Sequence, residues 1–425
     1  MNPRPAVKPF FRVVTPAEAR TVLDGVLSVG TERVPVADAA GRVVAAAVVT
    51  PGELPTFHRA HMDGYAVRAR DTFGASPSIP AYLRLAGVVE MGKAPPGDVA
   101  RGCAMRIATG GMLPDGADAV VMVEHTEEVA GGQVEIARPV APWENVLRRG
   151  EDVGAGVRVV EPGVRLRPHD LGALTGAGIL EIEAFRRPRL ALIGTGDEIV
   201  DPAQVPGPGQ VRNINQISLK AMACSAGAAV LDLGVCPDDP TLFAAALAQG
   251  LEHADAIFVS GGSSVGTKDM TLDVIARLPG AEIAFHGISV APGKPTLLAW
   301  VDGAAGGGAG RRPVVGLPGH PVSALVICDV FGVPLLRRLG GERSETAWRA
   351  RERVAARLTR NIDSAPGRED YVRVRLVRSR EGFSAEPLPG KSGAVFSLLQ
   401  ADGYVVVEMA REGIEVGEEV AVALF

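Results

Sequence analysis

The residues best suited to chemistry follow a short apolar run. Ala256-Ile257-Phe258-Val259 reads as a strand buried on both faces. Behind it comes Ser260-Gly261-Gly262-Ser263-Ser264-Val265-Gly266, with three glycines and three hydroxyls, and then Lys268 and Asp269 ahead of a helix over 270–278. A glycine-rich turn between a buried strand and a helix leaves backbone N–H groups aimed at one spot, which suits phosphate. A tight turn that needs positive φ at its glycines satisfies the same pattern. Gly261 and Gly266 have Walker A spacing, but Thr267 precedes Lys268, the reverse of the G-K-[ST] order, so a P-loop nucleotide hydrolase is set aside.

Three further polar loops follow apolar runs: Gly194-Thr195-Gly196-Asp197-Glu198, Ala291-Pro292-Gly293-Lys294-Pro295, and Leu317-Pro318-Gly319-His320-Pro321-Val322-Ser323. In a doubly wound sheet, ligands bind beyond the carboxyl ends of the strands, so these loops are expected to share one rim. Glu198, Asp239 and Asp269 lie near it, and carboxylates beside phosphate turns suit Mg²⁺. Asp239 and Asp269 also fit helix caps, worth about 1 kcal/mol each. Lys294, on a stiff loop, can face an anion or solvent. His58, His61 and Asp63 lack the i, i+4 spacing of a helical zinc site. Ser323 has no histidine and acid that the sequence pairs with it, which gives a serine hydrolase little support.

Positioning these residues takes several domains, because 425 residues exceed one core. Aromatics are only 4%, so the interior must be Val, Ala, Leu and Ile, and 52 glycines with 32 prolines imply many turns. A net charge of −5 argues against a bulk nucleic-acid binder. No stretch of about 20 apolar residues exists for a membrane span, and the N-terminus has no signal-peptide core. Four cysteines without C-x-x-C pairs suggest neither disulfides nor zinc, and a reducing cytoplasm is expected.

Along the chain, Thr15, Pro16 and Glu18 open a helix reaching Val29, and 37–46 reads as a second short one. Proline and glycine punctuate β structure over 48–140. Arg148, Arg149, Glu151 and Asp152 read as a charged turn. Helix follows over 168–177. From Arg189, strand and helix alternate: strands over 190–193, 229–235, 256–259, 282–290, 296–301 and 314–317, helices over 215–226, 240–249 and 321–339. Residues 302–313 read as a flexible, exposed connection. Alternating Arg and Val at 371–376 predicts a small antiparallel β domain with one wet face.

With these blocks placed, the chain resembles the molybdopterin molybdenumtransferases, the MoeA-type family that includes the E domain of gephyrin. The resemblance covers almost the whole chain. It rests on MDGYAV at Met62, ATGGMLPDGADAVV at Ala108, LRRGEDV at Leu147, GTGDEIV at Gly194, SGGSSVGTKD at Ser260, PGKP at Pro292, LPGHPVS at Leu317 and KSGAVFSL at Lys391. It implies a multidomain α/β plus β fold: a helical linker domain (10–47 and 145–186), an inserted β domain (48–144), a doubly wound MogA-like α/β domain (187–340) and a small barrel-like C-terminal β domain (343–425). It implies Mg²⁺-dependent insertion of molybdate into adenylylated molybdopterin, with release of AMP and molybdenum cofactor. It also implies a cytoplasmic homodimer whose cleft is shared between subunits, with molybdoenzymes or cofactor-pathway proteins as possible partners.

By the same resemblance the catalytic set is Asp63, Thr109, Asp152, Glu198, Asp239, Asp269, Lys294 and Ser323, with Glu198, Asp239 and Asp269 on the metal. Gly194, Thr195, Gly196, Ser260, Gly261, Gly262, Ser263, Ser264, Gly266, Pro292, Gly293, Pro318, Gly319, Arg368 and Ser392 would bind the pterin phosphate and the oxyanion. Three positions depart from the family pattern. Ala291 and Gly287 stand where lysines are usual, and His320 where asparagine is. Losing two cations predicts weaker oxyanion binding. It also admits a paralogue that binds the cofactor or scaffolds partners without turnover. A tungstate insertase is a third reading.

Overall fold

The computed structural model describes residues 12–261, 270–303, 310–349, 351–380 and 382–425. Its central unit is a six-stranded sheet. The elements in chain order are β1 (Arg189–Thr195), α1 (Asn215–Ser225), β2 (Ala229–Cys236), α2 (Pro240–His253), β3 (Ala256–Ser260), α3 (Met270–Ile275), β4 (Glu282–His286), β5 (Leu297–Asp302), β6 (Arg311–Leu317) and α4 (Pro321–Ile327). The sheet order is β2-β1-β3-β6-β5-β4. The first four strands are parallel, and β5 and β4 close one edge antiparallel.

Side-chain alternation explains the two layers of helices. Leu190, Leu192 and Phe258 enter a core with Leu219 and Ala223 of α1 and Val322 and Ile327 of α4. Ala191, Ile193, Ile257 and Val259 enter the opposite core with Phe243 and Leu247 of α2 and Ile275 of α3. Asp239 caps α2 by accepting from the N–H groups of Thr241 and Leu242, at 2.8 and 2.9 Å, and Pro240 occupies its first turn.

Several expectations need correction. The first helix ends at Asp24, short of Val29, and the expected exposed connection over 302–313 gives way at Arg311 to a strand in which Arg312 is buried. The helix over 37–46 is only a single 3₁₀ turn, Val36–Asp38. Gly41, at φ +70°, breaks it, and Val43 and Val44 then form β-bridges to Arg165 and Ala184. The strand over 282–290 ends at His286; after Gly287, at φ +123°, the chain leaves the sheet, and Val290–Ala291 pairs parallel with Glu369–Asp370 of the C-terminal domain. The helix over 321–339 is interrupted by a π turn, Cys328–Gly332, just before Pro334, whose ring and missing N–H cannot continue the i→i−4 ladder.

Around this unit, Thr31–Pro35 pairs with Glu181–Phe185 over a core that includes Val34, Leu174 and Ile182. An inserted six-stranded sheet runs from Gly64–Val67 through Gln133–Ile136. At the C-terminus, Glu369–Ser379, Gly382–Pro387, Arg353–Leu358, Glu419–Leu424 and Gly403–Val407 pair in a closed ring. The wet face expected there fails at Arg373, which is only 8% exposed. No helix among the described residues is long and apolar enough to cross a membrane.

Candidate functional site

Parallel pairing brings three strand ends level, with Gly194 beside Ser260 and Ser260 beside Leu317. The loops that leave them touch. Gly261 sits at φ +112°, and a Cβ there would drive into the Thr195 carbonyl oxygen. A Cβ at Gly319 would reach ordinary contact, 3.5 Å, with the Gly261 Cα. Glycine is therefore required at Gly261 by both conformation and close approach. Asn215, the first residue of α1, donates through Nδ2 to the Ser260 hydroxyl and to the Gly319 carbonyl, each at 2.8 Å. Its Oδ1 and the Thr195 Oγ1 are buried without a partner among the described residues. Orphaned acceptors and hydroxyls at converging strand ends mark a surface built for a ligand's polar groups. Asn215 was not singled out from sequence; its signal was its place at a helix start directly after a strand-end loop.

On one side of this rim the charge is negative. The Glu198 carboxylate folds over Gly196, close enough to fill the space of a Cβ there. The Asp238 N–H donates to Asp197 Oδ1 at 3.0 Å. Partial desolvation and the like charges of Asp197 and Glu198 push the Asp238 carboxyl above the usual carboxylate range. Asp239, the expected ligand, has one oxygen committed to the α2 cap, while its neighbour Asp238 faces the cluster. An all-carboxylate donor set suits a hard divalent cation. Among the described residues no three such groups stand close enough to enclose a metal unaided. Gly262, Ser263, Ser264, Gly266 and Asp269 lie outside the described residues.

On the other side lies a cavity of about 480 Å³ between α4, the 289–295 loop and the C-terminal domain. Lys294, Ser323, Arg368, Ser392, Pro292, Gly293 and Pro318 all line it. The loop is tightly fixed. Gly293, at φ +120°, is packed so closely on Ile327 that no side chain fits, and the Thr296 hydroxyl donates to the Gly293 carbonyl at 2.7 Å. Lys294 is exposed, with no carboxylate partner among the described residues. Arg368 is already paired with buried Asp370, Nε to Oδ1 at 2.7 Å and Nη2 to Oδ2 at 3.0 Å. Ala291 lines the same cavity and offers only a methyl there. Gly287 holds a φ that a lysine would adopt only with strain.

Asp63 and Thr109 are brought together elsewhere, in the inserted domain. The Thr109 N–H and hydroxyl donate to Asp63 Oδ1 at 2.6 and 2.8 Å. These bonds hold the Asp63 carboxyl below its usual range, the backbone bond contributing most. Asp152 lines a separate cavity of about 560 Å³ with Leu54, Arg59 and Asp170. The His58 ring accepts the Arg149 N–H at 3.0 Å and meets the Trp143 ring tilted by 44° at 4.9 Å. None of these residues lines the cavity around Lys294.

The chain matches the MoeA N-terminal region (domain I and II) over residues 14–178, the probable molybdopterin binding domain over 191–338, and the MoeA C-terminal region (domain IV) over 355–425. A Haemophilus influenzae protein named molybdopterin molybdenumtransferase is 32% identical over 397 residues, 93% of this chain and 94% of that one. A Mycobacterium tuberculosis protein named molybdopterin molybdenumtransferase 2 is 36% identical over 388 residues, 89% and 92% of the two chains. A crystal structure of a molybdopterin biosynthesis protein, MoeA from Pyrococcus horikoshii, superposes with a TM-score of 0.81 at 29% identity, covering 97% of this chain and 100% of that one.

Proposed function

Because the chain belongs to the MoeA family of molybdopterin molybdenumtransferases, enzymes of molybdenum cofactor biosynthesis, we propose that it inserts molybdate into adenylylated molybdopterin and releases AMP. The observation that carries this reading is the join between two unlike sites. A cavity lined by Lys294, Arg368, Ser323 and Ser392 abuts, through Pro318 and Gly319, the strand ends at Thr195 and Gly261. Lys294 would hold the tetrahedral oxyanion beside Arg368, and the Ser323 hydroxyl would orient it, with Ser392 on the cavity wall. Gly194, Thr195, Gly196, Ser260, Gly261 and the glycine-serine loop after it would take the pterin phosphate.

Cleaving a phosphoanhydride asks for positioning and charge neutralisation more than for covalent work by the protein. Asp197, Glu198, Asp238, Asp269 and the uncommitted oxygen of Asp239 would hold Mg²⁺, which when bound offsets the charge on the phosphate oxygens. Asp63 and Thr109 are fixed to each other but lie outside the cavity. We therefore place them, with Asp152, opposite the cleft of a partner subunit in a cytoplasmic homodimer.

The test is AMP release from adenylylated molybdopterin with Mg²⁺ and molybdate. Release above background is expected, tungstate competing as a second substrate. Substrate binding without release makes the protein a cofactor binder, the reading that Ala291 favours. Mixing Asp63→Ala with Lys294→Ala protein is expected to restore part of the activity each lacks alone. No restoration would overturn the shared cleft and leave the chemistry standing.

A further inference from the structure

The cavity holds one residue whose role the reading above leaves unassigned. His320 lines it from the start of α4, yet its side chain makes no capping bond to that helix. Its Nδ1 stands 3.2 Å from the Ser392 hydroxyl of the C-terminal domain, and a Cβ at Gly393 would come within 3.9 Å of its ring. The Ser392 carbonyl accepts the Val322 N–H at 3.0 Å, so the 391–393 turn is pinned to α4 beside the ring. From behind, buried Arg373 donates through Nη2 to the Gly390 carbonyl at 2.8 Å and steadies the same turn. The imidazole is thus held between two domains by one nitrogen. Its other nitrogen, Nε2, has no partner among the described residues.

We infer that His320 contacts the oxyanion directly, as an N–H donor that supplements Lys294. This rests on the cavity being the oxyanion site. A neutral imidazole has one donor and one acceptor nitrogen. When the Ser392 hydroxyl donates to Nδ1, the ring hydrogen resides on Nε2. An oxyanion, which only accepts, selects that tautomer. The cavity needs the donor. Ala291 offers only a methyl, and Asp370 already engages the Arg368 guanidinium. Lys294 is then the sole unpaired cation among the described lining residues, too little for a doubly charged tetrahedral anion.

Calorimetric titration of the full chain with molybdate tests this, with His320→Ala, His320→Gln and Lys294→Ala as variants. His320→Ala is expected to weaken binding about 10-fold, the size of one charge-assisted hydrogen bond. His320→Gln, which keeps an N–H donor, is expected to stay within about 3-fold of the parent. All three should melt with the parent protein, because the site is exposed. If Lys294→Ala loses binding and His320→Ala does not, the inference fails and the site reading survives. If neither variant loses binding, the site reading itself fails. If His320→Gln loses as much as His320→Ala, the ring serves packing and not donation, and the inference is overturned.

Discussion

The two ends of the central sheet use charge in opposite ways. Where the strands begin, Asp255 is 8% exposed and fully engaged: Arg186 donates to its two oxygens at 2.5 and 2.7 Å, and the Arg189 N–H donates at 2.7 Å. Arg312 lies in the same layer, with Nη1 donating to the Leu251 carbonyl. Where the strands end, among the described residues, Asp197, Glu198 and Asp238 gather without a cation, and Thr195 and Asn215 leave buried oxygens unpaired. One end satisfies its polar groups at the expense of nothing further. The other keeps them unmet, which costs stability and makes sense only if a ligand meets them.

The largest effect should come from breaking the satisfied end. Asp255→Ala leaves the half-buried Arg186 guanidinium without its partner and is expected to lower stability by about 3 kcal/mol, the low end for a buried pair. Activity per folded molecule should not change. Burial raises the Asp255 carboxyl, but the bonds from Arg186 and Arg189 outweigh it and hold it below the usual range. A depressed folded value means the contribution is complete above the unfolded value, about 3.9, and fades as pH falls through the folded one. Urea melts of the variant and the parent should therefore converge in acid. A variant that keeps its stability but loses turnover would show that the two ends are not separate in function.

A smaller effect is expected from Gly261→Ala at the other end. The new Cβ meets the Thr195 carbonyl at a left-handed φ, so strain of about 1–3 kcal/mol is expected. Here the loss of stability should come with a loss of substrate binding, since the same close approach lines up the three loops. Phosphate binding that survives in a destabilised variant would reduce the glycine to a packing device.

The sequence made the satisfied parts of this fold legible and the unmet ones only partly so. Apolar runs placed β1, β3 and β6, because a strand buried on both faces leaves no other reading for Ala256–Val259. The Pro-after-Asp start of α2 was equally local. A contiguous motif pointed to a residue that lines the cavity, as at Lys294. It was hidden where partners come from distant segments. Nothing near Asn215 in sequence announces Ser260 or Gly319, and nothing near His320 announces Ser392. In sequence Asp239 fits a metal ligand and a helix cap alike; its bonds to Thr241 and Leu242 show the cap. Arg373 looked like a wet-face residue because alternation cannot see that a later turn covers it.

Asp238→Asn gives the smallest and most discriminating effect. The folded Asp238 carboxyl lies above its unfolded value, so its ionised form is disfavoured in the fold, and the penalty is present at neutral pH. Removing the charge should raise the melting temperature slightly, within the roughly 0.5 kcal/mol span of exposed substitutions. The gain should vanish in acid, below the unfolded value, where the parent's carboxyl is protonated in both states. With Mg²⁺ added the order should reverse. On the proposed Mg²⁺ site the parent would then gain from the cation, and the variant, lacking one proposed ligand, would gain less. A variant that is less stable than the parent without Mg²⁺ would make Asp238 a structural residue like Asp255, and the contrast between the two ends would collapse at the position where the charge is least compensated.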